Sequence, residues 1–368
     1  MLLPKETFLP QRLICEPGAI LRCSDAIGEF GERGLIVHGR SLESSGRLAG
    51  IVRHLSAGMH IASFRRPEGE PTLGEITAVI DEGRRCGARW IMGIGGGSSI
   101  DVAKAAAGLF NAAHAPVYYQ EGGRLLEPGI PFIAAPTTAG TGSEATNNAV
   151  IINPEKRVKL SIRDNRFMAR LVILDLGLVE GCPRQVVLQS GMDALVQGVE
   201  SFVSRHATQF SGMYAEAAIR LVYEHIVEAV DAPQRESLSA LLIGSYYAGV
   251  SLAAARLGVV HGIAHPLGVL YNQPHGLVCA ACFVPALKVN RDAMGDAYGR
   301  LSGFFGGDCI EKIEELNQVL GVRSPFAGKK CEYTDMIVSE TLKSGSTAAN
   351  PKTITRDEVL YILSNLFK

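Results

Sequence analysis

The sequence predicts an α/β protein with a second, all-α domain: an N-terminal doubly wound parallel sheet followed by a bundle of helices. Three observations predict this fold class. In the first half, short apolar runs alternate with segments of helical periodicity. Two of those runs end in glycine-rich loops, as strands of open α/β sheets often do. After about residue 178, long helical segments replace the short apolar runs.

Each predicted strand is a short apolar run bounded by polar or glycine-rich sequence. A helix is predicted over 72–86, where apolar residues recur at helical spacing. Strands separated by helices imply a parallel sheet with both faces covered. The predicted strands are 34–38, 89–94, 131–135 and 171–175.

The second half predicts helices over 186–203, 214–230, 235–257 and 310–320. Gly181-Cys182-Pro183 interrupts the pattern, so we place the domain boundary there, giving domains 1–180 and 181–368. Ligand sites are frequent between domains, and we expect the active site in the cleft between these two.

Composition excludes several classes of function. The 368 residues carry a net charge of -1, which argues against nucleic-acid and membrane-surface partners and favours a small-molecule substrate. We find neither a transmembrane run nor a secretory signal, and eight scattered cysteines fit reduced thiols in the cytoplasm. The pair Cys279 and Cys282 stands alone in an apolar stretch, which favours core packing over a zinc or redox pair.

A glycine-rich turn follows the second predicted strand at Gly95-Gly96-Gly97-Ser98-Ser99. Glycines let a backbone approach a phosphate closely, and the N-terminus of the following helix attracts an anion. The spacing matches neither the dinucleotide fingerprint nor a P-loop, so an ordinary tight turn stays an alternative.

A second polar loop, 136–144, follows the next predicted strand. Its hydroxyl groups are suited to phosphates or a carboxamide; the alternative is a simple helix N-cap. Two such loops at the carboxyl ends of strands favour ligand binding. The hydroxyl residues are Thr137, Thr138, Thr141 and Ser143.

The helical half holds a cluster of metal-ligating residue types. His261 and His265 are four apart, hence on one helix face, and His275 follows within the same apolar stretch. Three clustered histidines indicate metal or proton chemistry. Asp193 begins an otherwise apolar helical stretch; stabilisation of the helix dipole is the alternative role for it.

Together, the segments 95–104, 136–144, 191–195 and 261–275, with Asn350-Pro351, resemble the iron-containing (group III) alcohol dehydrogenases, which share the dehydroquinate-synthase-like fold. The resemblance spans essentially the whole chain. It implies an NAD(P)-binding domain, a helical domain that binds a divalent metal (Fe²⁺ or Zn²⁺), and a homodimer. It implies cofactor contacts at Gly96, Gly97, Ser98, Asp101, Thr137, Thr138, Thr141, Ser143 and Lys159, metal ligands at Asp193, His261 and His275, and a proton relay at His265.

The resemblance therefore implies an NAD(P)H-dependent alcohol dehydrogenase or aldehyde reductase that acts on a small aldehyde or alcohol. A metal held by carboxylate and imidazole would polarise the substrate oxygen as a Lewis acid. Hydride would pass between the nicotinamide and the carbonyl carbon.

Two positions depart from the family pattern. Gln197 stands four residues after Asp193, where the family has a histidine, and an amide oxygen is a poorer ligand for Fe²⁺ or Zn²⁺. Water as the fourth ligand, weak coordination by Gln197, and loss of the metal all stay open, with retention favoured. Gly39 and Arg40 follow the first predicted strand where NAD-specific relatives have an aspartate, which favours NADP over NAD unless Arg40 is only a solvated charge.

Three other functions fit the same fold. Gln197 also suits a metal-independent reductase of keto acids or phosphonate aldehydes, or a cofactor-binding protein without catalysis, although a retained His265 argues against the latter. A dehydroquinate-synthase-like lyase needs many basic residues for an anionic substrate. The only cluster of that kind is Lys156, Arg157, Lys159 and Arg163.

Overall fold

The chain is described by a computed structural model that covers residues 2–156 and 158–368. It forms two compact units. The cofactor-loop unit comprises Phe8–Thr138 and Ser143–Gly181. The helical unit comprises Cys182–Lys368, the short segment Ala139–Gly142 and the N-terminal residues up to Thr7.

The cofactor-loop unit is built on a six-stranded, fully parallel sheet with the order β1-β8-β5-β4-β2-β3. A separate antiparallel hairpin, β6-β7, completes its strands. The strands are β1 Leu13–Cys15, β2 Arg33–His38, β3 His60–Arg65, β4 Trp90–Gly95, β5 Phe132–Pro136, β6 Asn148–Asn153, β7 Val158–Arg163 and β8 Leu171–Leu174.

The four predicted strands are confirmed as β2, β4, β5 and β8. All of them are almost fully buried, which is why their sequences read as continuous apolar runs. The strands that the sequence did not predict include the two sheet edges, β1 and β3, which are half-exposed and lack such a run.

Helices cover the sheet, and α4 shows why they begin and end where they do. Thr72 and Glu75 form a reciprocal capping box at its start, and Gly87 ends it in the left-handed conformation, close to the predicted bounds of 72–86. The helices of this unit are α1 Ser24–Gly28, α2 Arg40–Ser44, α3 Arg47–Leu55, α4 Leu73–Cys86, α5 Gly97–Gly108, α6 Pro116–Gln120 and α7 Leu176–Val179.

The strand order reverses between β2 and β4. The chain leaves β2 for β3 on one side, whereas it leaves β4 for β5 on the other. Open α/β sheets bind ligands at the carboxyl ends of strands at such a switch point. In this chain the switch point brings the turn after β2 beside the glycine-rich turn after β4.

The helical unit contains α8 to α17, and the predicted helices correspond to α8, α9, α10 and α14. By length and composition alone, α10 could cross a membrane, but most of it is buried inside the protein, as in the core helix of a globular unit. The helices are α8 Arg184–Val203, α9 Gln209–Asp231, α10 Arg235–Ala255, α11 Val259–Tyr271, α12 His275–Met294, α13 Asp296–Phe305, α14 Cys309–Leu320, α15 Thr334–Lys343, α16 Gly345–Ala348 and α17 Arg356–Leu366.

Candidate metal centre and cofactor loops

The turn from β4 into α5 is glycine-rich, and its shape depends on the absence of side chains. A Cβ on Gly95 would lie 2.6 Å from Ser99 Oγ, so this position accepts only glycine without rearrangement. Gly96 precedes α5, and among the described residues no side chain caps that helix. Gly96, Gly97 and Ser98 are partly exposed, between a buried strand and a buried helix. The free N–H groups and the positive end of the helix dipole are therefore available to an anion.

The loop after β5 touches this turn because β4 and β5 are neighbours. Thr137 donates its backbone N–H to Gly95 O at 3.0 Å, and Thr138 Oγ1 lies 3.3 Å from where a Cβ of Gly96 would be. Both threonines are partly exposed. Thr141 belongs to the segment Ala139–Gly142 of the helical unit, so the predicted loop 136–144 is divided between the two units.

Two predicted cofactor contacts, Asp101 and Ser143, have side chains engaged inside the protein. Ser143 Oγ donates to Asp101 Oδ1, and Val150 N donates to Asp101 Oδ2 at 3.0 Å. Both side chains are buried. This geometry ties α5 to the loop after β5 and to β6.

Lys104, which sequence reasoning missed, is completely buried one turn after Asp101. Its ammonium donates to Ser143 O at 2.6 Å, Ser143 Oγ at 2.8 Å, Thr146 Oγ1 at 2.9 Å and Asn148 O at 2.7 Å. Burial lowers its pKa to about 8. The signal in the sequence was a lysine within an otherwise apolar, alanine-rich helix.

Glu144 was missed as well. Its carboxyl group is buried beside this network, and Oε1 has no hydrogen-bond partner within the described residues. Burial raises the pKa of Glu144 to about 7, although the charge of Lys104 works in the opposite direction. The loop geometry is therefore held by the buried ammonium of Lys104, with the buried carboxyl group of Glu144 beside it.

The turn after β2 carries Gly39 and Arg40. A Cβ on Gly39 would lie 3.8 Å from Ser99 Oγ, which places this turn next to the start of α5. Arg40 is exposed, and its guanidinium lies 3.1 Å from the carboxylate of Glu68. Lys159, on β7, pairs instead with Glu70 at 2.8 Å and is mostly buried.

The other basic residues near Lys159 also contact protein groups. Lys156 pairs with Glu121, and Arg163 donates to Asn147 Oδ1 at 3.1 Å. Arg157 lies outside the described residues. The basic cluster that a lyase would need for an anionic substrate is thus largely engaged with neighbouring side chains.

In the helical unit, three helices bring together four side chains that could hold a metal ion. One ligand atom from each lies within 4.8 Å of the others. Asp193 comes from α8, His261 from α11, and both His275 and Cys279 from α12. The sequence predicted the first three to be ligands, whereas Cys279 was assigned to core packing.

The start of α11 is fixed by two buried side chains. Glu200 Oε1 accepts from Val260 N at 2.7 Å, and Asn350 Oδ1 accepts from Val259 N at 3.2 Å. These acceptors satisfy N–H groups that the helix itself leaves free. The contacts hold His261 at a defined position against α8.

The turn from α11 into α12 places His275 at the first residue of α12. Asn272 ends α11 in the left-handed conformation, with φ of 49°, and Pro274 precedes α12. A Cβ on Gly276 would lie 2.1 Å from Gln189 O, so only glycine lets the first turn of α12 approach α8 this closely. That approach brings His275 and Cys279 to Asp193.

His261 lies between two carboxylates. Its Nδ1 is 2.7 Å from Glu200 Oε2, and its Nε2 is 3.2 Å from Asp193 Oδ1. Burial disfavours a charged imidazole, but the acidic groups of Cys279, Asp193 and Glu200 outweigh it and hold the pKa of His261 well above its ordinary value. With Nδ1 held by Glu200, Nε2 is the atom turned toward the cluster.

Glu200 was missed by sequence reasoning. The signal for it was helical spacing, since Asp193, Gln197 and Glu200 stand at positions i, i+4 and i+7 of α8. All three are buried. One face of α8 therefore presents a ligand, an amide and the carboxylate that orients a second ligand.

Asp193 keeps its charge despite burial. Burial raises its pKa, but hydrogen bonds from His261 and Gln197 and the proximity of His275 lower it by a larger amount. The net pKa is therefore below the ordinary value. Gln197 Oε1, in contrast, is buried with no hydrogen-bond partner among the described residues. A carboxylate, two imidazoles, a thiol and an unsatisfied amide oxygen are a donor set that fits a divalent transition metal.

His265 lies beside this cluster, one turn along α11 from His261. Its ring stacks on that of His275, with centroids 5.3 Å apart and planes inclined by 25°. The side chain is half-buried, unlike that of His261. His265 thus combines access to solvent with contact to a cluster residue.

Both cysteines of the 279–282 pair are buried, as predicted. Burial raises the pKa of Cys279 to about 12 and that of Cys282 well above its ordinary value. Cys279, however, is also part of the cluster, with its Sγ 3.5 Å from His275 Nε2. Cys282 is not part of the four-residue group.

Comparison with known proteins identifies the family over nearly the whole chain. Residues 10–176 match the family "Iron-containing alcohol dehydrogenase", and residues 187–367 match "Fe-containing alcohol dehydrogenase family, C-terminal". The chain is 30% identical to "Probable alcohol dehydrogenase EutG" of Escherichia coli (strain K12), over 96% of this chain and 93% of that protein. It is 27% identical to "NAD-dependent methanol dehydrogenase" of Bacillus methanolicus, over 97% of this chain and 98% of that protein.

A crystal structure of a 1,3-propanediol oxidoreductase shares the fold, with a TM-score of 0.93 and 27% sequence identity, over 98% of this chain and 99% of that one. The matching family descriptions cover both units, and the sequence predictions of family and fold class are confirmed. The chain therefore belongs to the iron-containing alcohol dehydrogenase family and is an oxidoreductase that acts on CH–OH groups.

Proposed function

We propose that this protein interconverts a small aldehyde and its alcohol with NAD(P)H, using a divalent metal held by Asp193, His261 and His275. The observation that carries the proposal is the convergence of these ligand atoms, from three helices, within 4.8 Å of one another. Glu200 supports it, because its carboxylate fixes the ring of His261 from the side opposite Asp193. Such a support is typical of metal-binding histidines.

The chemistry that the bound groups supply is a hydride from nicotinamide C4 to the carbonyl carbon, with the metal drawing electron density from the carbonyl oxygen. The protein's own residues do the rest. Asp193 contributes the negative charge that a buried divalent cation requires, and its low pKa keeps that charge in place. His261 and His275 complete the set of protein donors on which the proposal rests.

For the cofactor, we propose that the turn at Gly96, Gly97 and Ser98 holds the pyrophosphate against the N-terminus of α5. Its free N–H groups and partial exposure support this role. Thr137 and Thr138 are partly exposed beside it and are suited to contact the cofactor. Asp101 and Ser143 have buried side chains, so their proposed role is to fix the conformation of these loops rather than to contact the cofactor.

We propose NADPH as the preferred source of hydride. Gly39 and Arg40, rather than a carboxylate, follow β2 at the switch point, and an exposed guanidinium can pair with a 2′-phosphate. The ion pair of Arg40 with Glu68 competes with this role. The preference for NADPH over NAD is therefore expected to be small.

We propose His265 as the residue that gives a proton to the substrate oxygen during reduction. Its half-buried ring stacks on that of His275, and this combination of partial exposure and contact with a cluster residue supports the role. Imidazole is suited to proton transfer near neutral pH. We also propose that the protein is a cytoplasmic homodimer. The family resemblance supports the dimer, and eight cysteines that form no disulfide support the cytoplasm.

A metal-independent reductase of keto acids or phosphonate aldehydes is the second candidate. Gln197 favours it, because an amide replaces the histidine that the family uses as a ligand. In that case the aldehyde would be oriented by His265 and the cofactor loops alone. The two candidates differ in whether activity survives removal of the metal.

The test is aldehyde-dependent oxidation of NADPH and NADH by protein purified without chelator. A short-chain aldehyde and a carboxylated aldehyde are compared, before and after metal stripping and after readdition of Zn²⁺ or Fe²⁺. We expect activity that stripping abolishes and readdition restores. Full activity after stripping would contradict the metal-dependent mechanism and support the second candidate.

A further inference from the structure

We infer that Cys279 binds the metal as a thiolate and that the site consequently prefers zinc to iron. This inference rests on the proposed function, because it concerns the ligands of the same metal. Cys279 would serve as the fourth ligand in place of the family's histidine, at whose position this chain has Gln197. The centre would then have one carboxylate, two imidazoles and one thiolate.

Three distances within the cluster are close to those between donor atoms on one metal ion. With ligand bonds of about 2.0–2.3 Å, two donor atoms on a tetrahedral zinc lie roughly 3.3–3.6 Å apart. Cys279 Sγ is 3.5 Å from His275 Nε2. Asp193 Oδ1 is 3.2 Å from His261 Nε2 and 3.8 Å from His275 Nε2.

The helix register explains why Cys279 reaches the cluster. His275 and Cys279 are four residues apart on α12, and therefore on one face of it. Gly276 lets that face approach α8 closely enough to meet Asp193. Both residues are thus presented to the same point by one helix turn.

Gln197 is a poor competitor for the same role. Its amide donates a hydrogen bond to Asp193, and its Oε1 lies buried without a partner in the described part of the chain. A neutral amide oxygen binds Zn²⁺ or Fe²⁺ far more weakly than a thiolate does. The structure therefore assigns Gln197 to orienting Asp193 and Cys279 to the metal.

A thiolate ligand affects which metal the site prefers. Thiolate is a soft donor that favours zinc, whereas carboxylate and imidazole are found as ligands of both iron and zinc. Zinc also lies above iron in the general order of affinity for such sites. A cysteine in the ligand set therefore shifts the selectivity of the site further toward zinc.

The test uses full-length protein stripped of metal and titrated with Co²⁺, which reports thiolate ligation by a charge-transfer band in the near ultraviolet. We expect the wild type to develop this band at one Co²⁺ per chain and Zn²⁺ to displace the cobalt. Cys279→Ser should lose the band and bind Zn²⁺ at least tenfold more weakly. Cys282→Ser, a change at an equally buried cysteine of the same helix, should keep both.

A rescue variant separates loss of a ligand from loss of folding. In the double variant Gln197→His/Cys279→Ser, an imidazole returns to α8, and we expect Zn²⁺ affinity to recover without the charge-transfer band. Cobalt bound by the wild type without the band would overturn the role of Cys279 while leaving the metal-dependent function intact. No metal binding at all would overturn both.

Discussion

The cofactor loops and the metal cluster are built in opposite ways. In the proposed function, the loops bind the cofactor through backbone: glycines shape the turn, and the start of α5 leaves its N–H groups free. The cluster would bind the metal through side chains that three separate helices bring to one point. Local sequence therefore specifies the glycine-rich turn, whereas the cluster exists only once α8, α11 and α12 have packed together.

Buried charge is also handled differently in the two regions. Beneath the loops, the ammonium of Lys104 is surrounded by backbone carbonyl and hydroxyl oxygens, which satisfy it completely. In the cluster, His261 lies between two carboxylates and Gln197 Oε1 stays unsatisfied. Lys104 is thus a fully hydrogen-bonded structural anchor, whereas the cluster is a donor set that a cation would complete.

The largest effect is expected from a substitution that adds a methyl group where α12 approaches α8. In Gly276→Ala, the new Cβ would collide with Gln189 O at 2.1 Å, a backbone atom that cannot move aside. We expect a loss of about 3 kcal/mol or more in the free energy of unfolding, together with weakened metal binding. Urea denaturation and metal titration measure the two effects.

Gly74→Ala in the cofactor-loop unit is the matched control, since Gly74 is also the second residue of a helix but has no neighbour within 4 Å. It should stabilise the protein by about 0.5–1 kcal/mol. Equal effects of the two substitutions would show that the close approach at Gly276 does not determine the cluster.

The buried Glu144 predicts a pH dependence that originates beneath the cofactor loops. Its pKa is raised from 4.5 to about 7 by burial, so the folded protein binds this proton more tightly than the unfolded chain does. Stability is therefore lost as pH rises through this window, by on the order of 2–3 kcal/mol. Glu144→Gln removes the titration, and we expect the stability of the variant relative to wild type to rise between pH 4.5 and 7.5.

Melting temperatures of both proteins across this range provide the measurement. Glu32→Gln, at an exposed glutamate of the same unit, controls for the loss of a surface charge. A constant difference between Glu144→Gln and wild type at all pH values would contradict the assignment of this proton to Glu144.

In the cluster, Glu200→Gln tests the carboxylate behind His261. A glutamine has one acceptor oxygen where the carboxylate has two, so it cannot accept from both Val260 N and His261 Nδ1–H. We expect the ring to lose the charged partner that directs Nε2 toward Asp193. We expect metal affinity to fall about 10- to 100-fold with the fold intact. Competition with a chelator measures the affinity. An unchanged affinity would show that Glu200 does not contribute to metal binding.

The smallest effect is expected at the exposed pair beside the switch point. Arg40→Gln should raise the KM for NADPH about three- to fivefold, the size of one exposed ion pair, and leave the KM for NADH unchanged. Glu68→Gln should lower the KM for NADPH, because it releases the guanidinium. If both variants leave the two KM values unchanged, Arg40 is a solvated charge and does not select the cofactor.

The parts of the fold that could be predicted are those with strong local signals. Strands β2, β4, β5 and β8 are buried on both faces, so each has a continuous apolar run that predicts a strand. The edge strands β1 and β3 lack that run because solvent reaches them. The division of the loop 136–144 between two units has no local signature at all.

The same limit applies to the site. The clustered histidines alone indicated metal or proton chemistry, and the family resemblance then implied Asp193, His261 and His275 as the ligands. Glu200 and Cys279 follow at helical spacing from two of them, but spacing alone does not tell which helix faces meet. Only packing of α12 against α8 identifies Cys279 as a neighbour of Asp193 rather than as one more buried cysteine.

Metal binding by side chains of the helical unit is the property on which the proposed function depends. It is measured by elemental analysis of wild type and Asp193→Asn, purified side by side without chelator. We expect close to one divalent metal per chain in the wild type and a small fraction of that in the variant, with aldehyde reduction lost in parallel. Equal metal content in both proteins, or an active wild type without metal, would contradict it.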